Sequence, residues 1–283
     1  MGQITEITED NIDELKGYLG EDVAENIGRE YFYGLSCADP FDEPTAAIIW
    51  CVKNSDSFDD AQSELFYFSS ENKEDGRELI SEYSDRILED NIVRSFFELE
   101  DVDGDDAKLL KDAGFSAKKT EGRNLYGSLK DLTKLKIILK KKTPSYVKSL
   151  GSLSQLQFRQ GVTNCMFCGR VGINEDLAML PMEWYEEEVS CCIMADDKVT
   201  GFLLIHRKPS GMLMPVLLYA GGVDARKEML NMLCFSVNAA AAKYKPDTKI
   251  LISRHDEKTR ALTSYLFPGK KGCKVLSGER DEA

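Results

Sequence analysis

The sequence is short of the residue types that would fix its chemistry at once. It holds 2 histidines in 283 residues, and neither has the spacing of metal ligands. It has no run approaching the ~18–20 apolar residues that a membrane span needs; its longest apolar stretches, such as 212–220, are the size of strands. Positive charge is outweighed: 36 Lys and Arg stand against 49 Asp and Glu, a net charge of −13. Such a surface repels phosphates, which argues against nucleic acid or an anionic membrane as a general partner and is compatible with a cationic amine. Residues 1–10 carry neither the basic nor the apolar segment of an export signal, so a cytoplasmic protein is expected. The chain contains no P-loop, no Rossmann fingerprint and no G-x-S-x-G elbow. Gly221-Gly222 lacks the spacing of a phosphate loop and reads as a tight turn. No short-period repeat is visible.

What is present points to a globular protein. Hydrophobic residues make up 42% and charged residues 30% of the chain, and the length suits two domains of about 100–200 residues. Of the 8 cysteines, Cys51, Cys191, Cys192 and Cys234 sit inside apolar, regular segments and read as reduced core residues. Cys165 and Cys168 form a C-x-x-C pair. Zinc would need further ligands, and adjacent Cys191 and Cys192 on one strand point to opposite faces, so core packing is the favoured reading over zinc or a redox pair.

The first half opens with a short strand at 4–7 and a helix whose apolar stripe is Ile12, Leu15, Tyr18 and Leu19. A second helix is expected over 22–34. Strands are expected at 46–52 (AAIIWCV), 64–69 (ELFYFS) and 93–99, with a helix over 77–91 between the last two. A short helix, 107–113, closes at Gly114, a residue suited to the left-handed conformation at a helix end. Phe115 begins a return strand, and 124–129 is expected as the last hairpin partner of this half. The lysine-rich segment around 136–142 reads as a solvated connector, dividing domains 1–135 and 143–283.

The second half repeats the plan. A strand at 146–150 precedes a helix capped by Ser152 or Ser154, and strands at 188–194 and 199–206 form a hairpin around the acidic turn 195–198. The continuous apolar strand 212–220 is expected to be central. A long helix over 227–243, a strand at 249–253, a helix over 259–267 and a final strand at Val275-Leu276 follow, with a loose charged tail.

Three segments carry a family resemblance: the run Lys198-Val199-Thr200-Gly201-Phe202 after an acidic turn, the segment Leu109–Phe115 (LLKDAGF), and the segment Ala261–Gly269 (ALTSYLFPG). Together with the element order they resemble the GNAT N-acetyltransferase superfamily, as two tandem copies covering nearly the whole chain. The resemblance implies an α/β (α+β) fold of two GNAT-like domains, each a mixed, mostly antiparallel twisted sheet flanked by helices. It implies acetyl-CoA as acyl donor and a small-molecule or peptide amine as acceptor, with oligomeric state left open. In that family a helix start of pattern [QR]-x-x-G-x-[GA] holds the donor's pyrophosphate on backbone N–H groups. Here Arg226-Lys227-Glu228-Met229-Leu230-Asn231 aligns, with Met229 and Asn231 in place of the small residues; Lys73–Glu78 aligns in the first half and keeps Gly76.

By the resemblance, Leu218 and Ala220 on the central strand and Arg226, Lys227, Met229 and Leu230 at the helix start are the cofactor contacts. Tyr265 takes the place of the general acid that protonates the leaving thiolate. The first half has Leu110 there, so the second half is the candidate active one. His255, after the strand 249–253, is a candidate base or pantetheine contact, and Glu186–Glu188 are further carboxylates to weigh. The competing reading is a GNAT-like protein without catalysis that binds a ligand or a protein partner.

Overall fold

A computed structural model describes residues 2–29, 31–54, 61–100, 102–135, 142–167, 175–254 and 256–282. In chain order the elements are β1 (Gln3–Glu6), α1 (Ile12–Leu19), α2 (Glu21–Ala24), β2 (Phe32–Ala38), β3 (Pro44–Asn54), β4 (Ala61–Ser70), α3 (Lys73–Glu89), β5 (Arg94–Leu99), α4 (Asp105–Asp112) and β6 (Ser116–Glu121). There follow β7 (Asn124–Ser128), α5 (Leu129–Thr133), β8 (Val147–Ser149), α6 (Gln155–Phe167), β9 (Cys191–Ala195), β10 (Lys198–Arg207), β11 (Leu213–Ala220), α7 (Ala225–Lys243), β12 (Lys249–Ser253), α8 (Glu257–Leu266) and β13 (Lys274–Asp281).

The chain divides into two compact units, Met1–Gly122 with Gly272–Ala283, and Arg123–Lys271. The first holds a seven-stranded sheet ordered β1-β2-β3-β4-β5-β13-β6, the second a six-stranded sheet ordered β7-β12-β11-β10-β9-β8. In each sheet one neighbouring pair is parallel, β4 with β5 and β11 with β12, and every other pair is antiparallel. A long helix makes each parallel crossover, α3 in the first unit and α7 in the second, as parallel strands require.

This topology corrects the expected division. Residues 124–128 do not close the first half: β7 pairs antiparallel with β12 in the second unit, from Lys249↔Ser128 to Ser253↔Asn124. The C-terminal segment is no loose tail either. β13 lies between β5 and β6 in the first unit, in register from Leu276↔Leu99 and Lys274↔Glu121 onward. Strand periodicity reports which face of a strand is buried, not which neighbour it meets, so the exchange left no mark in the apolar pattern.

Local chemistry explains the smaller differences. The helix expected over 22–34 stops at Ala24, and Gly28, at φ 88°, takes the chain out of helical conformation before β2. The strand expected from 188 starts at Cys191, because the amides of Val189 and Ser190 both donate to the Glu186 carbonyl in a turn. Ser154 caps α6: its hydroxyl accepts from the Gln157 amide at 3.3 Å while the Gln157 side chain accepts from the Ser154 amide at 2.9 Å.

The cores follow from strands covered on both faces. In β3, Ile48 packs with Leu79, Tyr83, Ile87 and Phe97 under α3, while Ile49 packs with Ile7, Leu15 and Leu19 under α1. In the second unit Cys191 joins Leu203, Ile205 and Met232 on one face, and Cys192 joins Phe158, Phe202 and Leu204 on the other. The adjacent cysteines therefore face apart, as expected. Cys165 is buried in the second of these clusters, and Cys168 lies outside the described residues. Among the described residues, no helix is long and apolar enough to cross a membrane, and no group of His, Cys, Asp and Glu gathers as a metal site.

Candidate active site in the second unit

The central strand of the second unit parts from its parallel neighbour almost at once. β11 and β12 share a single paired position, Leu213↔Ile250. Further along, the register with β10 passes from Ile205↔Pro215 to Leu204↔Leu217, so Val216 is an extra residue that bends β11. Along this stretch residues 214–219 are all half-buried although they lie in the middle of the sheet. A cleft between parted strands is the direct reading of that pattern.

The loop after β11 leads into α7. The Gly221 amide donates to the Thr200 carbonyl at 2.8 Å. Among the described residues, the amides of Gly222, Val223, Ala225 and Arg226 make no hydrogen bond, which leaves the free donors and positive dipole end of a helix start. Asp224 occupies the cap position without a side-chain capping bond. Glu228 folds back over this loop. Both of its carboxylate oxygens lie where a β-carbon on Gly222 would stand, and Oε2 is buried without a hydrogen-bond partner.

Of the residues singled out from sequence, Leu218 and Ala220 lie on the parted stretch of β11, and Ala220 is buried. Arg226 and Lys227 are exposed on the first turn of α7, with the Lys227 Nζ 3.9 Å from the Asp224 carboxylate. Met229 and Leu230 are half-buried and pack against the core under α7. Asn231, aligned with a small family residue, is buried instead, and its amide donates to the Tyr146 hydroxyl at 2.6 Å. Tyr265 stands on the last turn of α8 and is 56% exposed. Its neighbours Thr263 and Leu266 face the core. His255 lies outside the described residues.

Of the carboxylates at 186–188, Glu186 enters a three-membered ionic cluster that its place in the sequence does not announce. Its Oε2 accepts from Lys243 Nζ at 2.8 Å, and Glu188 Oε2 lies 3.1 Å from the same ammonium. Burial pushes the Glu186 carboxyl up, but the hydrogen bond from Lys243, with the positive charges of Lys243 and Arg207, pulls harder, and the group ends below its ordinary range. The buried Tyr244 hydroxyl beside it is pushed up to about 12. The adjacent His206 ring stacks on Trp184 at 3.5 Å, with Nδ1 2.7 Å from the Trp184 carbonyl. The Lys243–Glu186 spacing is 57 residues, beyond any local pattern.

The first unit builds the same frame and fills it. β4 pairs with β5 only from Gln62↔Arg94 to Leu65↔Phe97, and the rest of β4 runs on without it. The Ser70 amide and hydroxyl at its end both donate to Asp106 Oδ1, at 3.1 and 2.9 Å. At the start of α3, Asn72 accepts from the Asp75 amide, and Asp75 Oδ2 accepts from Thr45 Oγ1 at 2.6 Å and Asn72 Nδ2 at 2.7 Å. Those two hydrogen bonds hold the Asp75 carboxyl below its ordinary range.

Solved structures share this frame. A tandem GNAT protein from the clavulanic acid biosynthesis pathway matches over 100% of this chain and 99% of its own, with a TM-score of 0.66 at 7% identity. The chain has a tandem GNAT fold. A GCN5-related N-acetyltransferase from Kribbella flavida matches 82% of this chain and 85% of its own, with a TM-score of 0.50 at 10% identity. A probable N-acyltransferase from Enterococcus faecalis V583 matches 99% of this chain and 72% of its own, with a TM-score of 0.50 at 9% identity. No family model and no curated sequence matches. At these identities the likeness is one of tandem GNAT architecture, and the chemistry rests on the site itself.

Proposed function

We propose that the second unit of this tandem GNAT fold is an acyl-CoA-dependent N-acetyltransferase acting, in the cytoplasm, on a small-molecule or peptide amine. The observation that carries the reading is the parting of β11 from β12 after Leu213↔Ile250, which leaves the inner strand half-exposed. An extended pantetheine arm fits beside such a strand, because residues with no sheet neighbour on one side offer backbone groups to a ligand.

In this reading Leu218 and Ala220 line the arm's path on β11, and Met229 and Leu230 border it from α7. Arg226 and Lys227 add exposed positive charge at the helix start. The acceptor amine attacks the thioester carbonyl, the tetrahedral adduct collapses, and the thiolate leaves with a proton from the Tyr265 hydroxyl. His255 serves as the base that takes the amine proton. The negative surface charge favours a cationic acceptor.

The first unit fits the alternative reading, a GNAT-like domain without catalysis. At its helix start Asp75 is held by Thr45, at the end of β4 Ser70 is tied to Asp106, and Leu110, in the tyrosine's place, is fully buried and has no proton to give.

Acetyl-CoA binding tests the assignment. A ligand that binds only the folded state at about 100 times its Kd stabilises by about 2.7 kcal/mol, which raises Tm by about 5 °C or more in a protein of this size. An unchanged Tm at about 1 mM acetyl-CoA, a concentration typical of the upper range of KM values, removes the proposal.

A further inference from the structure

We infer that Glu228 denies the start of α7 to the donor's diphosphate, so that the second unit holds its acyl donor by the pantetheine arm alone. The inference rests on the reading of this unit as an acyltransferase and narrows the class of donor it takes.

Three observations meet at this loop. The first is the set of free donors: the amides of Gly222, Val223, Ala225 and Arg226 have no partner among the described residues. A helix start of that kind attracts an anion. The second is the anion already there. The Glu228 carboxylate lies against Gly222, and its Oε2 is fully buried with no partner. A carboxylate left so is costly unless it accepts hydrogen bonds. The third is the first unit, where a carboxylate at the corresponding helix start is held by side-chain donors. Asp75, also from the first turn of the long helix, is buried with two side-chain donors on one oxygen. The chain thus brings its own carboxylate to both helix starts, by Asp75 in one unit and by Glu228 in the other.

The consequences for a ligand are electrostatic and steric. A diphosphate entering the second unit meets the like charge of the Glu228 carboxylate a few ångströms away, and like charges at that range repel. It must also displace the carboxylate from the space beside Gly222. The compensating cations are poorly placed: Arg226 is exposed and Lys227 leans toward Asp224. The arm meets none of this, since its path runs along β11.

The test compares CoA with pantetheine, which keeps the arm and lacks the diphosphate and nucleotide, by calorimetric titration into the full chain. The unsubstituted protein is expected to bind the two compounds with affinities within about threefold of each other. Glu228→Ala is expected to bind CoA at least about tenfold more tightly while its affinity for pantetheine stays unchanged, a factor within reach of one charge at a helix terminus. Glu228→Gln, which keeps the bulk and removes the charge, should gain part of that factor. CoA binding more than about tenfold tighter than pantetheine in the unsubstituted protein overturns this inference and leaves the acyltransferase reading standing, and so does an Ala variant with unchanged CoA affinity. If no protein binds either compound, the acyltransferase reading itself fails and the inference falls with it.

Discussion

Val216 in the second unit stands where Phe66 stands in the first: each is the single residue skipped in the antiparallel register of the central strand. On one side the pairing jumps from Leu204↔Leu217 to Ile205↔Pro215, on the other from Ile49↔Tyr67 to Trp50↔Leu65. A bulge at this point increases local twist and turns the strand end away from its parallel neighbour. Both units therefore carry the same device for parting strands, and in the first the strand end at Ser70 is tied to Asp106.

Tyr265 is the residue on which that gap's chemistry is staked. Because its ring is 56% exposed, Tyr265→Phe should change stability by no more than about 0.5 kcal/mol. If the hydroxyl protonates the leaving thiolate, turnover should fall by about 10²–10⁴-fold with acetyl-CoA affinity unchanged. Steady-state kinetics beside a binding titration separates the two, and an unchanged rate takes Tyr265 out of the mechanism.

The exchanged strands should be sensitive at one glycine each. A β-carbon on Gly127 in β7 would collide with the Phe267 ring, and one on Gly278 in β13 with the Phe97 ring. Both rings are about 1% exposed and have no room to retreat. Gly127→Ala and Gly278→Ala should each destabilise by about 1–3 kcal/mol through overpacking. Scanning calorimetry would record this as a Tm loss of about 2–4 °C per kcal/mol; two unshifted melts would show that the rings yield freely.

The Glu186–Lys243 pair should give stability a defined pH window. Glu186 sits below its ordinary range in the folded state, so its contribution is present above the unfolded value of about 4.3 and is lost as pH falls through the folded one. Lys243 is raised, chiefly by its hydrogen bond to Glu186, so its contribution is present below the unfolded value of about 10.4 and is lost as pH rises further. The Tm difference between the unsubstituted protein and Glu186→Gln should be widest between about pH 5 and 9 and shrink toward about pH 3. A difference that does not change with pH would show that the pair contributes nothing through its charge.

Fragments should respect the units rather than the lysine-rich connector. Residues 123–271 contain every strand of the second sheet and are expected to melt cooperatively on their own. Residues 143–283 lack β7 and carry β13 without its neighbours, so a cooperative melt from that fragment, followed by circular dichroism, would contradict the strand exchange.

Much of this frame was legible because its signals are local. The continuous apolar run of β3 and the period of α3 announce themselves within a dozen residues, as does the acidic turn before β10. Asp196 and Asp197 adopt φ of 48° and 60° in that turn, a conformation that aspartate tolerates better than most residues. Partner choice was not legible. β7 and the strand before it are separated by Gly122 and Arg123 alone, a spacing that suggests a hairpin, yet they enter different sheets. The role of Glu228 was hidden for a similar reason. In sequence it is one acidic residue in a helical first turn, where such residues are common, and only the fold shows its carboxylate turned back against Gly222.

The position of β13 bears on how the protein is made. At about 5–20 residues per second, a ribosome that has finished β6 needs on the order of ten to thirty seconds before the segment that must slot beside it has emerged. Through that interval the nascent β5 and β6 present bare strand edges to the cell, while the contiguous 123–271 segment is free to close first. The N-terminal portion is synthesised first and completed last.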